Sequence, residues 1–176
     1  MITPNDVWSQ TVLHEGITDY LYLDTVGIPT VGVGFACPRE CDLLNLKWEP
    51  CVAEAVADHR RLLTLPKEVH PAVYYRRHTR ARMSQEAIRE TFESKALLLI
   101  RRLDSGNWSL SLRPEPVQRV LFDLVWSLGA GGLAKFVKLK AALDAKDWAE
   151  AAKQTVVTQH SASRNEWRSS QLLGLV

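Results

Sequence analysis

His14-Glu15-Gly16-Ile17-Thr18-Asp19-Tyr20-Leu21-Tyr22-Leu23-Asp24-Thr25-Val26-Gly27-Ile28-Pro29-Thr30-Val31-Gly32-Val33-Gly34-Phe35 reads as the end of a helix running into a tight β-hairpin, and Glu15, Asp24 and Thr30 are the side chains in it that can do chemistry. Upstream, Thr3-Pro4-Asn5-Asp6 is a helix start. Thr3 caps it, Pro4 takes the first helical position, and an acid follows three residues after the cap. Trp8 and Val12 share a face, and Gly16 is the stop. Glu15 therefore falls in the last turn, where the negative end of the helix disfavours a carboxylate. An acid in that place suits proton donation near neutral pH. By itself the same residue also reads as a frayed surface glutamate.

Downstream, Tyr20 to Leu23 is a short strand of β-formers, Asp24 to Gly27 a turn, and Ile28 to Phe35 a second strand containing Gly32 and Gly34. Glycines inside a strand weaken it and mark a bend or a close approach to the backbone, such as the floor of a ligand site. Asp24 at the mouth of the turn has an ordinary role too, bonding its own backbone.

Glu15, Asp24 and Thr30 stand at the spacing Glu-x8-Asp-x5-Thr, accompanied within 20 residues by Gly16, Tyr22, Gly27, Gly32 and Gly34. This stretch resembles the phage-lysozyme (endolysin) family, the muramidases of glycoside hydrolase family 24. The resemblance implies a catalytic Glu closing the first helix and a hairpin carrying Asp and Thr. Phe35 departs from it, since relatives usually place His after the last Gly.

A chain of 176 residues suits one domain with a real core, and 46% hydrophobic with 24% charged residues is ordinary globular material. A net charge of +2 and a pI near 8.5 are compatible with an anionic cell wall but select no partner. No apolar run approaches the roughly 18–20 residues that span a bilayer, and no signal-peptide pattern opens the chain. A peptidoglycan target then requires another route across the inner membrane. Cys37, Cys41, Cys51 and His59 follow Cys-x3-Cys-x9-Cys-x7-His, which matches no common zinc pattern. Buried thiols or one disulfide are the expectation, with no metal and no cofactor.

Residues 36–82 are the least readable. Pro50 opens a short helix to about Leu63 with Val52, Val56, His59 and Leu63 on one face, His59 reading as packed rather than as a ligand. Arg76, Arg77, Arg80 and Arg82 beside Tyr74 and Tyr75 read as a solvated basic face, a nucleic-acid patch, or a surface attracted to wall polymers. Ser84 caps a long helix to about Leu103, with Ile88, Phe92, Ala96, Leu99 and Leu103 at helical spacing and Arg89–Glu93 paired outside. Ser105-Gly106-Asn107 breaks the chain; Pro114 and Pro116 restart it into a helix that is apolar nearly all round from Val117 to Leu128 and ends at Gly129-Ala130-Gly131-Gly132. Leu139 to Leu143, Asp147 to Ala152 and Ser163 to Leu173 continue the helical pattern.

The resemblance extends to this second half. Asp-Leu-Val-Trp-Ser-Leu-Gly followed by Leu133-Ala134-Lys135-Phe136 is similar to the family's buried helix, Gly turn and short Phe-bearing helix. It implies sugar-binding roles for Gly32, Gly34, Ser127 and Phe136, although relatives carry Asn or Gln where Ser127 stands. Arg164 is either the arginine that lies near the catalytic Glu in relatives or a surface arginine on a terminal helix.

The expected architecture is α+β, mostly helical and lysozyme-like. It has a β-hairpin lobe over about 14–82, a connecting helix over about 84–103, and a helical lobe over about 104–176 joined by the helix 4–15. The expected activity is hydrolysis of the β-1,4 bond between N-acetylmuramic acid and N-acetylglucosamine, with Glu15 as acid and Asp24 with Thr30 positioning water or stabilising the oxocarbenium-like state. Peptidoglycan strands are the expected partner of a monomer acting in the periplasm or cell wall, as a phage endolysin or a delivered lytic effector. A holin, a secretion apparatus or an inhibitor protein would accompany it, and no nucleic acid is expected. The competing readings are a catalytically weak peptidoglycan-binding module on the same scaffold and a nucleic-acid-binding helical protein built on the arginine cluster.

Overall fold

A computed structural model describes residues 1–66 and 68–176. The fold is α+β and mostly helical: a small antiparallel sheet near the N-terminus and eight α-helices among the described residues, including one long helix after the sheet. The chain divides into two compact units, Trp8–Ser94, and Met1–Val7 together with Lys95–Val176.

Helix α1 (Pro4–Glu15) begins as its sequence requires. The Asp6 carboxylate accepts the Thr3 N–H and hydroxyl, each at 2.7 Å. Gly16, at φ +72°, ends the helix and returns its N–H to Val12 O at 2.8 Å. A non-glycine residue is strained in that left-handed conformation.

In the Trp8–Ser94 unit, strands β1 (Thr18–Leu23), β2 (Pro29–Gly32) and β3 (Phe35–Ala36) form the sheet in that order. The single second strand expected over Ile28 to Phe35 is therefore two strands. Gly32 at φ +66° and Gly34 at φ +83° turn the chain back on itself, so that Val31 pairs with Phe35 and Thr30 with Ala36. A Cβ on Gly32 would stand 2.4 Å from the Phe35 ring, so this glycine is required by packing as well as by conformation.

Chain 37–83 leaves the sheet and returns to it: Cys37 N–H donates to Pro29 O at 2.7 Å, and Met83 N–H to Asp19 O at 2.8 Å. Within that excursion α2 (Val52–Leu63) and α3 (Ala72–Tyr75) pack against β1. The buried row of α2 is Ala55, Asp58, His59 and Leu62, whereas Val52 and Leu63 are exposed. The apolar face predicted from hydropathy is thus rotated. Asp58 is buried because its carboxylate accepts the N–H groups of Arg80 (2.6 Å) and Ala81 (2.8 Å) and Nη1 of Arg61 (2.6 Å), a role that hydropathy does not register. His59 is packed, with Nε2 2.9 Å from Cys37 O.

Helix α4 (Gln85–Ser105) starts at the Ser84 cap, whose hydroxyl accepts Ala87 N–H at 3.1 Å. Its first half buries Ile88 and Phe92, the latter edge-on to Trp8 at 4.9 Å between centroids. Burying each such side chain is worth about 1.5–3 kcal/mol. Arg89 covers the Trp8 ring and pairs with Glu93 at 2.7 Å.

In the Met1–Val7 and Lys95–Val176 unit, α5 (Glu115–Leu133) is the central helix and buries Val117, Val120, Leu121, Phe122, Leu124 and Val125. Gly129 interrupts it with non-helical φ 68°, ψ 172°, after which a further turn runs to Leu133; the glycine run kinks the helix where it was expected to end. Then come α6 (Val137–Asp144), α7 (Trp148–Lys153), capped by Asp147, and α8 (Ala162–Leu173), capped by Ser161. No single helix among the described residues is long and apolar enough to cross a membrane; α5 and α6 reach that measure only as a pair bent by 116°.

Candidate active site

Glu15, Asp24, Thr30, Gly32 and Gly34 all belong to the Trp8–Ser94 unit: Glu15 ends α1, Asp24 is in the turn after β1, Thr30 and Gly32 are on β2, and Gly34 is in the turn before β3. Glu15 is the final residue of α1, half-buried, and its carboxylate lies over Gly34: a Cβ on that glycine would be 3.3 Å from Oε2. The left-handed turn at Gly34 thus brings bare backbone up to the acid.

Asp24 follows β1 at the mouth of the turn. Its Oδ1 accepts N–H bonds from Val26 (2.9 Å) and Ile28 (2.8 Å), and its own N–H donates to Ile28 O at 3.0 Å. The turn role is real, but it occupies one carboxylate oxygen. The other, Oδ2, accepts no hydrogen bond from a described residue.

Thr30 is buried on β2 and donates its hydroxyl proton to Ile28 O at 3.0 Å, so towards a ligand its oxygen offers lone pairs. Directly across from it on β1 is Tyr22. Burial first, and then the negative charges of Glu15 and of Asp24, push the Tyr22 phenol up to about 12. One hydroxyl therefore senses both carboxylates and stands beside the threonine. In the sequence Tyr22 is only a member of the motif. The signal that could have singled it out is strand alternation, which puts it on Asp24's side of β1 two residues earlier.

Behind the turn lies a cavity of about 310 Å³, lined by Asp24, Val26, Leu62, Leu65, Val69 and Tyr75 among others.

The remaining predicted site residues belong to the other unit. Ser127 on α5 donates its hydroxyl to Asp123 O at 2.9 Å, closing onto its own helix. Phe136 is half-buried immediately before α6. Arg164 on α8 is no surface arginine: it is 6% exposed and binds the buried Asp123 carboxylate through Nε (3.1 and 3.2 Å) and Nη2 (2.8 Å). Arg168, fully buried, joins the same carboxylate at 2.5 Å and reaches Thr155 O. Neither Asp123 nor Arg168 stands out in the sequence as part of such a cluster.

The arginines of the 36–82 region are partly spent on their own surroundings. Arg82 donates to Thr79 O and Ala81 O, and Arg77 lies over the Tyr74 ring at 4.4 Å, while Arg76 and Arg80 are exposed. Cys37 is buried; Cys41 and Cys51 are exposed, and all three are free thiols. Among the described residues no group of three or more His, Cys, Asp or Glu side chains is placed to hold a metal ion.

No family model matches the chain, and no curated protein sequence does.

Proposed function

We propose that this protein is a muramidase, a glycoside hydrolase that cleaves the β-1,4 bond between N-acetylmuramic acid and N-acetylglucosamine in peptidoglycan. The observation that carries the reading is the placing of the acids about one hairpin: the Glu15 carboxylate lies against Gly34, Asp24 keeps one oxygen clear of its turn, and Thr30 is on the strand between those two positions. An acid and a second carboxylate are the pair that glycoside hydrolysis uses.

Glu15 donates its proton to the glycosidic oxygen. A water that gives one hydrogen to Asp24 Oδ2 and the other to the Thr30 hydroxyl oxygen keeps a lone pair for the anomeric carbon; alternatively Asp24 stabilises the oxocarbenium-like state directly. Gly34 leaves the sugar room beside the acid. The Phe35 ring fills the space over Gly32, so the residue that departs from the resemblance serves packing. Action as a phage endolysin or as a lytic effector delivered to a target periplasm accords with this chemistry.

Phe35, standing beside Gly34 where the resembled family usually carries His, favours a second reading, a catalytically weak module that binds glycan strands without cutting them. Release of reducing sugar ends from purified peptidoglycan, by wild type and by Glu15→Gln, separates the two. Loss of general acid catalysis is expected to slow release by roughly 10²- to 10⁴-fold. No release by the wild type, with retention on sedimented sacculi, would establish the binding module instead.

A further inference from the structure

The groups of the site other than Tyr22 are poor in donors for a sugar. Asp24 Oδ2 accepts only, the Thr30 proton is given to Ile28 O, and the Glu15 proton is committed to the bond being broken. Tyr22 is different. It is half-buried, opposite Thr30 and two residues before Asp24, and its hydroxyl makes no hydrogen bond to a described residue. The charged groups acting on it are Glu15 at the end of α1 and Asp24 at the end of β1, while its neighbour on β2 is neutral. Held up to about 12, the phenol keeps its proton at neutral pH.

We propose that Tyr22 is the specificity-determining donor of the site, giving its hydroxyl hydrogen bond to the acetamido carbonyl of an N-acetylated hexosamine at the cleaved linkage. The inference rests on the glycoside-hydrolase reading above and adds to it the group that recognises the sugar. The Asp24 carboxylate repels an anionic acceptor, so the oxygen that Tyr22 meets is a neutral one. Of the neutral acceptors on such a sugar, the amide carbonyl is the strongest. A site built to hydrogen-bond one substrate group discriminates sharply against an analogue that lacks it.

The test measures binding in a background that cannot cleave. Glu15→Gln and the double variant Glu15→Gln/Tyr22→Phe are titrated calorimetrically with a tetramer of β-1,4-linked N-acetylglucosamine and with the matching glucosamine tetramer. Thermal midpoints check that both variants are folded. The acetylated tetramer is expected to bind roughly 10- to 100-fold more weakly when the hydroxyl is removed, and the glucosamine tetramer equally to both proteins. The charge of the free amines affects both proteins alike and drops out of the comparison. Equal loss for both ligands, loss for neither, or failure of the acetylated tetramer to bind Glu15→Gln would overturn the assignment. Acetyl-selective loss in a protein whose wild type releases no sugar ends would leave Tyr22 as the sugar donor and overturn the hydrolase reading instead.

Discussion

Glu15 and Gly34 are fitted to each other: the acid closes a helix, the glycine sits in a left-handed turn, and a single added methyl would stand 3.3 Å from the Glu15 Oε2. Gly34→Ala is therefore expected to act twice. The backbone at φ +83° is strained for alanine by roughly 1–2 kcal/mol, and the new Cβ displaces the carboxylate. Sugar release should fall by more than an order of magnitude, whereas Glu15→Gln should leave the urea midpoint nearly unchanged. Full activity in Gly34→Ala would separate Glu15 from the chemistry.

Tyr22 makes stability depend on alkaline pH. Its folded pKa, about 12, lies above the ordinary tyrosine value of 10, so the folded state holds the proton more tightly. The contribution is complete below pH 10 and is lost as pH rises from 10 to 12, about 2–3 kcal/mol in all. Urea midpoints at pH 9 and pH 11.5 should fall further apart in wild type than in Tyr22→Phe. Parallel behaviour would show that the phenol is not perturbed.

Asp58 ties α2 to the segment before α4 through two backbone N–H groups and Arg61. In Asp58→Ala those amides lose their acceptor in a buried place, at a cost of about 3 kcal/mol. Asp58→Asn retains one acceptor oxygen and should recover part of it. Chemical denaturation of the three proteins gives the ranking.

Asp123 holds two buried guanidinium groups, Arg164 and Arg168. Asp123→Ala leaves both without this counter-ion, with an expected loss of about 3–5 kcal/mol and a markedly lower thermal midpoint. A change under 1 kcal/mol would mean that the cluster is satisfied by its other partners.

Much of this was legible because it is local. Thr3, Gly16, Ser84 and the Asp24–Gly27 turn carry backbone signals within a few residues of where they act, and the structure places helix ends and the turn there. Most of what was not legible depends on partners distant in sequence. The division of 28–35 into two strands is local, a turn at Gly32 and Gly34 whose glycines read as marks within one strand, but the buried side of α2 follows from amides 22 and 23 residues beyond Asp58. Arg164 and Arg168 look like exposed charges until Asp123, 41 and 45 residues earlier, is placed beside them. Tyr22 could be located from strand alternation, but its burial and the charges of both acids upon it depend on how α1 and the turn are folded onto β1.

The excursion from Cys37 to Met83 starts and ends on hydrogen bonds to the same small sheet, while Glu15 through Gly34 lie wholly before it. The candidate site residues and this segment are thus consecutive in the chain, and they meet where Asp24 shares a cavity wall with Leu62 and Tyr75. The segment is no slack loop, since Leu43, Trp48, Leu62 and Tyr75 within it are buried. Whatever else it carries, this stretch works as an apolar roof for β1, on which α2 and α3 rest.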